Sequence, residues 1–214
     1  MEKTRVAVFG SFYRGFYLLN ELLNGPISEL VTVVGVATDN PAESFISAER
    51  RVWQYEHTAY EEEMVSVHAQ KYGIDVFRGR VNAAPFHETF ESTWKPDLCV
   101  MGTFGQRIAK RLISFPKLGF YNLHPCIDDG WPSKFIGGNP FEALMNDAME
   151  YSVVVMHSVD EGFDTGPFVA MTGRIELPIQ TSVTDMHKIT AYPAAQLAIQ
   201  EIRRIISEGQ QANG

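Results

Sequence analysis

Two short stretches, Phe120-Tyr-Asn-Leu-His-Pro125 and Asp160-Glu-Gly-Phe-Asp-Thr-Gly166, supply an amide, an imidazole and a carboxylate. Asn122 and His124 are two residues apart, so on a strand their side chains point to one side. Asp164 sits in a turn between Gly162 and Gly166, after the β-branched run Val153-Val154-Val155. An Asn, a His and an Asp meeting at strand ends can polarise a carbonyl, stabilise an oxyanion and move a proton. That combination is acyl-transfer chemistry. Taken singly, each has a plainer reading: an Asn before His-Pro forms turns, and an Asp between glycines occupies loops.

The elements that must position these residues alternate between strand and helix. Short apolar runs at Arg5–Phe9, Leu30–Ala37, Asp75–Phe77, Asp97–Gly102 and Gly119–Leu123 read as strands. Helical periodicity covers Phe12–Asn24, ended by Gly25-Pro26, and Thr58 with Glu61 forms a capping box for a helix to about Lys71. Pro85–Thr93, Lys110–Ser114 and Pro140–Asp147 are short helical segments, and Pro41 to Glu56 is irregular. Ser152–Val159 and Pro167–Leu177 read as an antiparallel strand pair. Thr184–Ser207 is a terminal helix that Pro193 should kink or split. This order predicts an α/β fold: a Rossmann-like, wound and mostly parallel sheet with an antiparallel C-terminal strand pair, in one domain spanning residues 1–214. Ligands in such sheets bind beyond the carboxyl ends of the strands, where Asn122, His124 and the 103–108 segment fall.

Asn122-x-His124 and the Asp164 turn, with Phe115-Pro-Lys-Leu-Gly-Phe-Tyr-Asn-Leu-His124, carry a likeness to a known family. The chain resembles the 10-formyltetrahydrofolate-dependent N-formyltransferases, which include glycinamide ribonucleotide, methionyl-tRNA and sugar N-formyltransferases. The likeness is clear from about Asp97 to Leu177, and residues 103–124 follow the methionyl-tRNA branch without a gap. It implies the formyltransferase fold and a catalytic trio of Asn122, His124 and Asp164. It implies 10-formyltetrahydrofolate as formyl donor in one-carbon metabolism, its pteridine held by backbone groups of Phe104, Gly105, Gln106, Arg107 and Ile108. Val159, Asp160, Glu161, Gly162 and Phe163 would complete that site. Arg107 could instead reach the glutamate tail of the donor, or be solvated. The acceptor implied is a small amine: an amino sugar nucleotide, glycinamide ribonucleotide or a modified amino acid.

One stretch departs from the family pattern. The loop after His124, Pro125 to Asn139, is a few residues longer and lacks Leu-Leu-Pro. Within it, Asp128 and Asp129 are placed to hold a cationic amine and Trp131 to stack on a ring, or all three only cap and pack the loop. Ser11 and Arg14, in the turn that opens the first helix, are candidates for an acceptor phosphate or carboxylate. The alternative is ordinary strand–helix turn chemistry. His57, His68, His87 and His187 read as surface or capping residues, and His157 as a residue that could line the pocket.

Composition narrows the field further. A net charge of −8 lacks the electrostatic footprint of a nucleic-acid binder, so nucleic acid is not an expected partner. A second copy of the chain, as a homodimer, is left open. Two cysteines, Cys99 and Cys126, do not make a disulfide framework, and no leader or membrane-length apolar run is read, so a cytoplasmic location is expected. His and Cys never cluster at ligand spacing, so no metal site is expected. Gly10-Ser-Phe-Tyr-Arg-Gly15 lacks the middle glycine of a dinucleotide fingerprint, which weakens a nicotinamide-dependent reading even with Asp39 available after the second strand. Two alternatives share the expected fold: hydrolysis of 10-formyltetrahydrofolate, and non-catalytic folate binding.

Overall fold

Strand β1 (Thr4–Gly10) carries Val6, Ala7, Val8 and Phe9 in sequence, all buried. A run without alternation fits a parallel strand covered on both faces. The computed structural model describes residues 2–43 and 51–211. Helix α1 (Phe12–Asn24) follows β1, then β2 (Val31–Ala37) and α2 (Ala59–Lys71). The capping box on α2 forms: Thr58 Oγ1 accepts from the Glu61 amide, and Glu61 accepts from the Thr58 amide. β3 (Val76–Phe77), α3 (Ala84–Glu88), a wider helical turn at Thr89–Trp94, and β4 (Leu98–Gly102) come next. The chain ends with α4 (Lys110–Ile113), β5 (Phe120–Cys126), α5 (Pro140–Asn146), β6 (Tyr151–Ser158), β7 (Phe168–Met171), β8 (Ile175–Glu176) and α6 (Val183–Gln211).

The sheet runs β3-β2-β1-β4-β5-β6-β7, with β8 paired to β6. Pairing is parallel from β3 to β5 and antiparallel among β5, β6, β7 and β8. The chain winds outward in opposite directions from β1 and β4, so their carboxyl ends open a crevice. Aliphatic side chains of α1, α2 and α6 cover one face. An aromatic cluster covers the other, where Phe9 meets Phe86, Phe90 and Phe104 edge-on.

Three expectations are revised. Strand β5 continues past Leu123 through His124 and Pro125. Its pairing with β4 stops at Asn122, so beyond that point β5 is an edge, where a sheet admits proline. The strand expected over Pro167–Leu177 divides in two, and its second piece pairs with the opposite end of β6. Helix α6 runs through Pro193 without splitting, because Ala194, Ala195, Leu197 and Ala198 stay packed against the core. Of the irregular segment expected at Pro41–Glu56, residues 44–50 lie outside the described residues, and Arg51–Gln54 is a 3-10 turn. No helix among the described residues is long and apolar enough to cross a membrane.

Two devices lock the end of β1. Gly10 and Gly15 face each other so closely that a Cβ on Gly15 would lie 2.6 Å from the Gly10 carbonyl carbon. These glycines serve strand–helix packing. Beside them, Ser11 N donates to Thr103 O at 2.8 Å, and Ser11 Oγ accepts from Asp39 N at 2.9 Å. Asp39 Oδ2 accepts from Gly105 N at 2.8 Å and from Trp53 Nε1 at 3.4 Å. The turns after β1, β2 and β4 are thereby tied to one buried carboxylate. Burial pushes that carboxyl up to about 6, although the bonds from Trp53, Gly105 and Ser11 and the charge of Arg51 act the other way.

Gly15→Ala should lower stability by about 1–3 kcal/mol in urea unfolding, since backbone cannot yield to the added methyl as a side chain would. The folded protein holds the Asp39 proton more tightly than the unfolded chain, so stability falls as pH rises from about 4 to about 6. The gap between 3.8 and about 6 corresponds to on the order of 3 kcal/mol. Asp39→Asn should remove that slope, so its stability relative to the parent should rise across the window in urea titrations at stepped pH.

Candidate active site

Pairing of β5 with β6 sets Asn122 opposite His157 and His124 opposite Val155. Asn122 and His124 lie on the same side of β5, and the β6–β7 connection brings Asp164 to both. Asn122 Nδ2 donates to Asp164 Oδ1 at 3.1 Å, and His124 Nδ1 lies 3.3 Å from Asp164 Oδ2. Gly137 N donates to the same Oδ2 at 3.1 Å, and His157 Nε2 stands 3.6 Å from Oδ1. Asp164 adopts a left-handed φ of 52°, uncommon for a residue with a side chain and tolerated best by Asp and Asn. Its four partners hold it there. Burial alone would raise the carboxyl, but hydrogen bonds and charge from His124, then from His157, outweigh it. The carboxyl therefore sits well below the usual carboxylate range and stays ionised.

The partners also define proton positions. His124 Nε2 lies 3.0 Å from the Phe135 carbonyl, so both ring nitrogens face oxygen acceptors, and a ring protonated at both satisfies both contacts. His157 Nδ1 faces the Ser158 carbonyl at 2.8 Å, which makes it the donor nitrogen. Its Nε2 then accepts from Asn122 Nδ2 at 3.2 Å. Both amide hydrogens of Asn122 are thus engaged, one by Asp164 and one by His157.

The three residues open onto a cleft lined from α1 and from the ends of β2, β4, β5 and β6. Phe104 to Ile108 line it, as do Val159, Asp160, Gly162 and Phe163. Glu161 does not; its carbonyl accepts from Arg107 Nη2, which joins the two segments. Arg107 also stands 5.6 Å from the Phe163 ring centroid. The Gln106 side chain bonds Val81 N and Gly79 O, so only its backbone is free to serve the cleft.

The long loop after His124 is placed differently from expectation. Asp128 and Asp129 do not line the cleft: Asp128 accepts from Tyr151 Oη at 2.6 Å and Arg174 Nε at 2.9 Å, and Asp129 accepts from Lys134 N. Trp131 stacks on His157, centroids 4.8 Å apart, and donates to Gly166 O at 2.8 Å. It backs the site rather than facing an acceptor. The backbone of this loop, through Phe135 O and Gly137 N, is what reaches His124 and Asp164. Ser11 also lies outside the lining, its hydroxyl taken up with Asp39 and Thr38, whereas Arg14 is in it. His187, read as a surface residue, is buried between Phe12 and Phe141 and lines the cleft. Asp39, Arg51, Asn139 and Phe141 also line it and escaped the sequence reading as site residues. Only Asp39, an acid closing a strand, carried a sequence signal.

The chain matches the formyl transferase family model over residues 4–202. It is 30% identical over 148 residues to methionyl-tRNA formyltransferase of Rhodopseudomonas palustris (strain HaA2), covering 69% of this chain and 46% of that protein. The methionyl-tRNA formyltransferase of Brucella melitensis biotype 2 is 29% identical over 136 residues, 63% of this chain and 42% of its own. The chain thus spans less than half the length of the curated relatives it matches. Phosphoribosylglycinamide formyltransferase from Bacillus halodurans superposes with a TM-score of 0.66 at 18% identity, covering 96% of this chain and 97% of that one. A formyltetrahydrofolate deformylase from Pseudomonas syringae pv. tomato gives 0.61 at 14% identity, covering 93% and 62%. Those two likenesses are of fold. With nearly its whole length under one family model, this chain belongs to the formyl transferase family.

Proposed function

We propose that the protein transfers a formyl group from 10-formyltetrahydrofolate to the amine of a small acceptor. The observation that carries this reading is the ionised Asp164 holding Asn122 and His124 side by side at the floor of the cleft. The amine nitrogen attacks the formyl carbon, and the carbonyl electrons move onto oxygen to form a tetrahedral oxyanion. His124, with Asp164 on one nitrogen, directs an N–H toward that charge. Asn122 supplies a second donor by releasing one of its present partners, and His157 is the weaker-held of the two because Asp164 is charged. As the intermediate collapses, the amine proton passes to Asp164, directly or through water, the folate nitrogen takes a proton from His124 as it leaves, and transfer from Asp164 to His124 restores both groups.

Donor and acceptor occupy different parts of the cleft in this reading. Phe104–Ile108 and Val159–Phe163 offer backbone groups for the pteridine, and Arg107 lies at their junction, ready for the glutamate tail. A tRNA acceptor fits poorly with a net charge of −8. Trp131, Asp128 and Asp129 support the site by shaping the loop.

The test is to mix the protein with 10-formyltetrahydrofolate and a panel of amines and to follow tetrahydrofolate release. Release should depend on the amine, and His124→Ala should slow it by about a hundredfold to ten-thousandfold. Asp164→Asn should cost at least about a hundredfold, since it removes the charge that orients His124. Amine-independent release, lost in both variants, would identify a hydrolase. Folate binding without release would overturn the catalytic reading.

A further inference from the structure

Arg14 is 2% exposed, yet among the described residues no carboxylate pairs with it. Its Nη1 donates to Thr103 Oγ1 at 3.0 Å and its Nη2 to Thr190 Oγ1 at 3.1 Å. Its Nε–H has no hydrogen-bond partner among the described residues. The guanidinium carbon lies over the Phe141 ring, 5.8 Å from its centroid. Next to it His187, also buried, leaves Nδ1 without a partner. Arg14, His187, Thr103 and Phe141 all line the cleft.

A desolvated cation with neutral neighbours only is an expensive arrangement, and proteins keep buried charges paired. Here two hydroxyls hold the guanidinium without neutralising it, and Arg14 Nε and His187 Nδ1 stay buried and unpartnered among the described residues. An anionic ligand would complete the set. The charge balance further selects which anion. One guanidinium matches one carboxylate. A phosphate brings up to two negative charges, and the other arginines that line the cleft, Arg51 and Arg107, stand by Phe163, 6.0 and 5.6 Å from its ring centroid. Burial and the neighbouring Arg14 hold His187 well below the usual imidazole range, so its ring stays neutral.

We propose that the acceptor is an amino acid, in the broad sense of an amine bearing a carboxylate, and that Arg14 holds the carboxylate while the amine faces Asp164. This rests on the acceptor part of the function proposed above. Thr103 and Thr190 are positioning residues for the guanidinium, and Phe141 walls the ligand from water.

The test has a binding arm and a turnover arm. Calorimetry would compare N-formylated amino acids with small, aliphatic and aromatic side chains, their decarboxylated N-formyl amines, and the corresponding phosphonates. The free amines would be compared in the transfer assay. Carboxylates should bind and react at least about a hundredfold better than their decarboxylated counterparts. Arg14→Met should erase that preference, and Arg14→Lys should restore only part of it, because an ammonium lacks the planar fork. If Arg14→Met fails to fold, Thr190→Val should still reduce the preference, by about tenfold. Equal treatment of acid and decarboxylated amine, preference for the phosphonate, or an intact preference in Arg14→Met would each overturn the proposal, as would a panel that neither binds nor reacts. Carboxylate binding without turnover would sink the transferase reading, and the acceptor role with it, while leaving Arg14 as a carboxylate-binding group. Turnover without carboxylate preference would do the reverse.

Discussion

A buried carboxylate that must remain charged sets the terms for this site. Asp164 has little access to solvent, so its charge survives only if every lone pair finds a donor. Those donors come from two separate places: His124 and Asn122 on β5, and Gly137 in the loop between β5 and α5, with the His157 ring of β6 standing beside them. The register of β5 against β6 is therefore tied to this set of contacts. A one-residue slip would send Asn122 and His124 to the opposite face together, leaving Asp164 unpaired. The stacking of Trp131 on His157 and its bond to Gly166 close the same arrangement from behind.

Around that centre the fold leaves two charges incompletely compensated. Asp39 keeps one carboxylate oxygen without a partner, and Arg14 keeps its Nε–H. Each is otherwise well bonded, and each lines the cleft. Mutational stability would favour neutral replacements at both positions, as is common where a binding site trades stability for readiness. Asp39 also has a structural task, because three strand-end turns meet on its oxygen and on Ser11. The sheet winds in opposite directions at these turns, so the crevice and the tie that holds it open share the same residues.

Much of this was legible in the chain. The buried strands announce themselves as short apolar runs, α2 by its Thr58–Glu61 box, and α1 by a periodic face ended at Gly25-Pro26. Those features depend on residues within one turn or one strand of each other. Asn122, His124 and Asp164 were legible as a set because strand alternation and a strand–turn order are also local rules. The directions of Asp128, Asp129, Trp131 and Ser11 were not. Their side chains are claimed by Arg174, Tyr151, His157, Gly166 and Asp39, partners that only the folded backbone brings near.

His187 and Pro193 make the same point on α6. A histidine in a polar-looking helical turn becomes a buried wall of the cleft because α6 packs across α1 and α5. A proline expected to kink or split the helix is carried through without a split because its neighbours remain in the core. The sequence alone determined the strand–helix alternation and which three polar groups meet at the strand ends, since both follow from short-range periodicity and residue type. Tertiary structure decided which of the remaining polar groups face the cleft and which are spent on one another. That outcome depends on competition among distant hydrogen-bond partners for a few buried positions, and no local pattern encodes the winner.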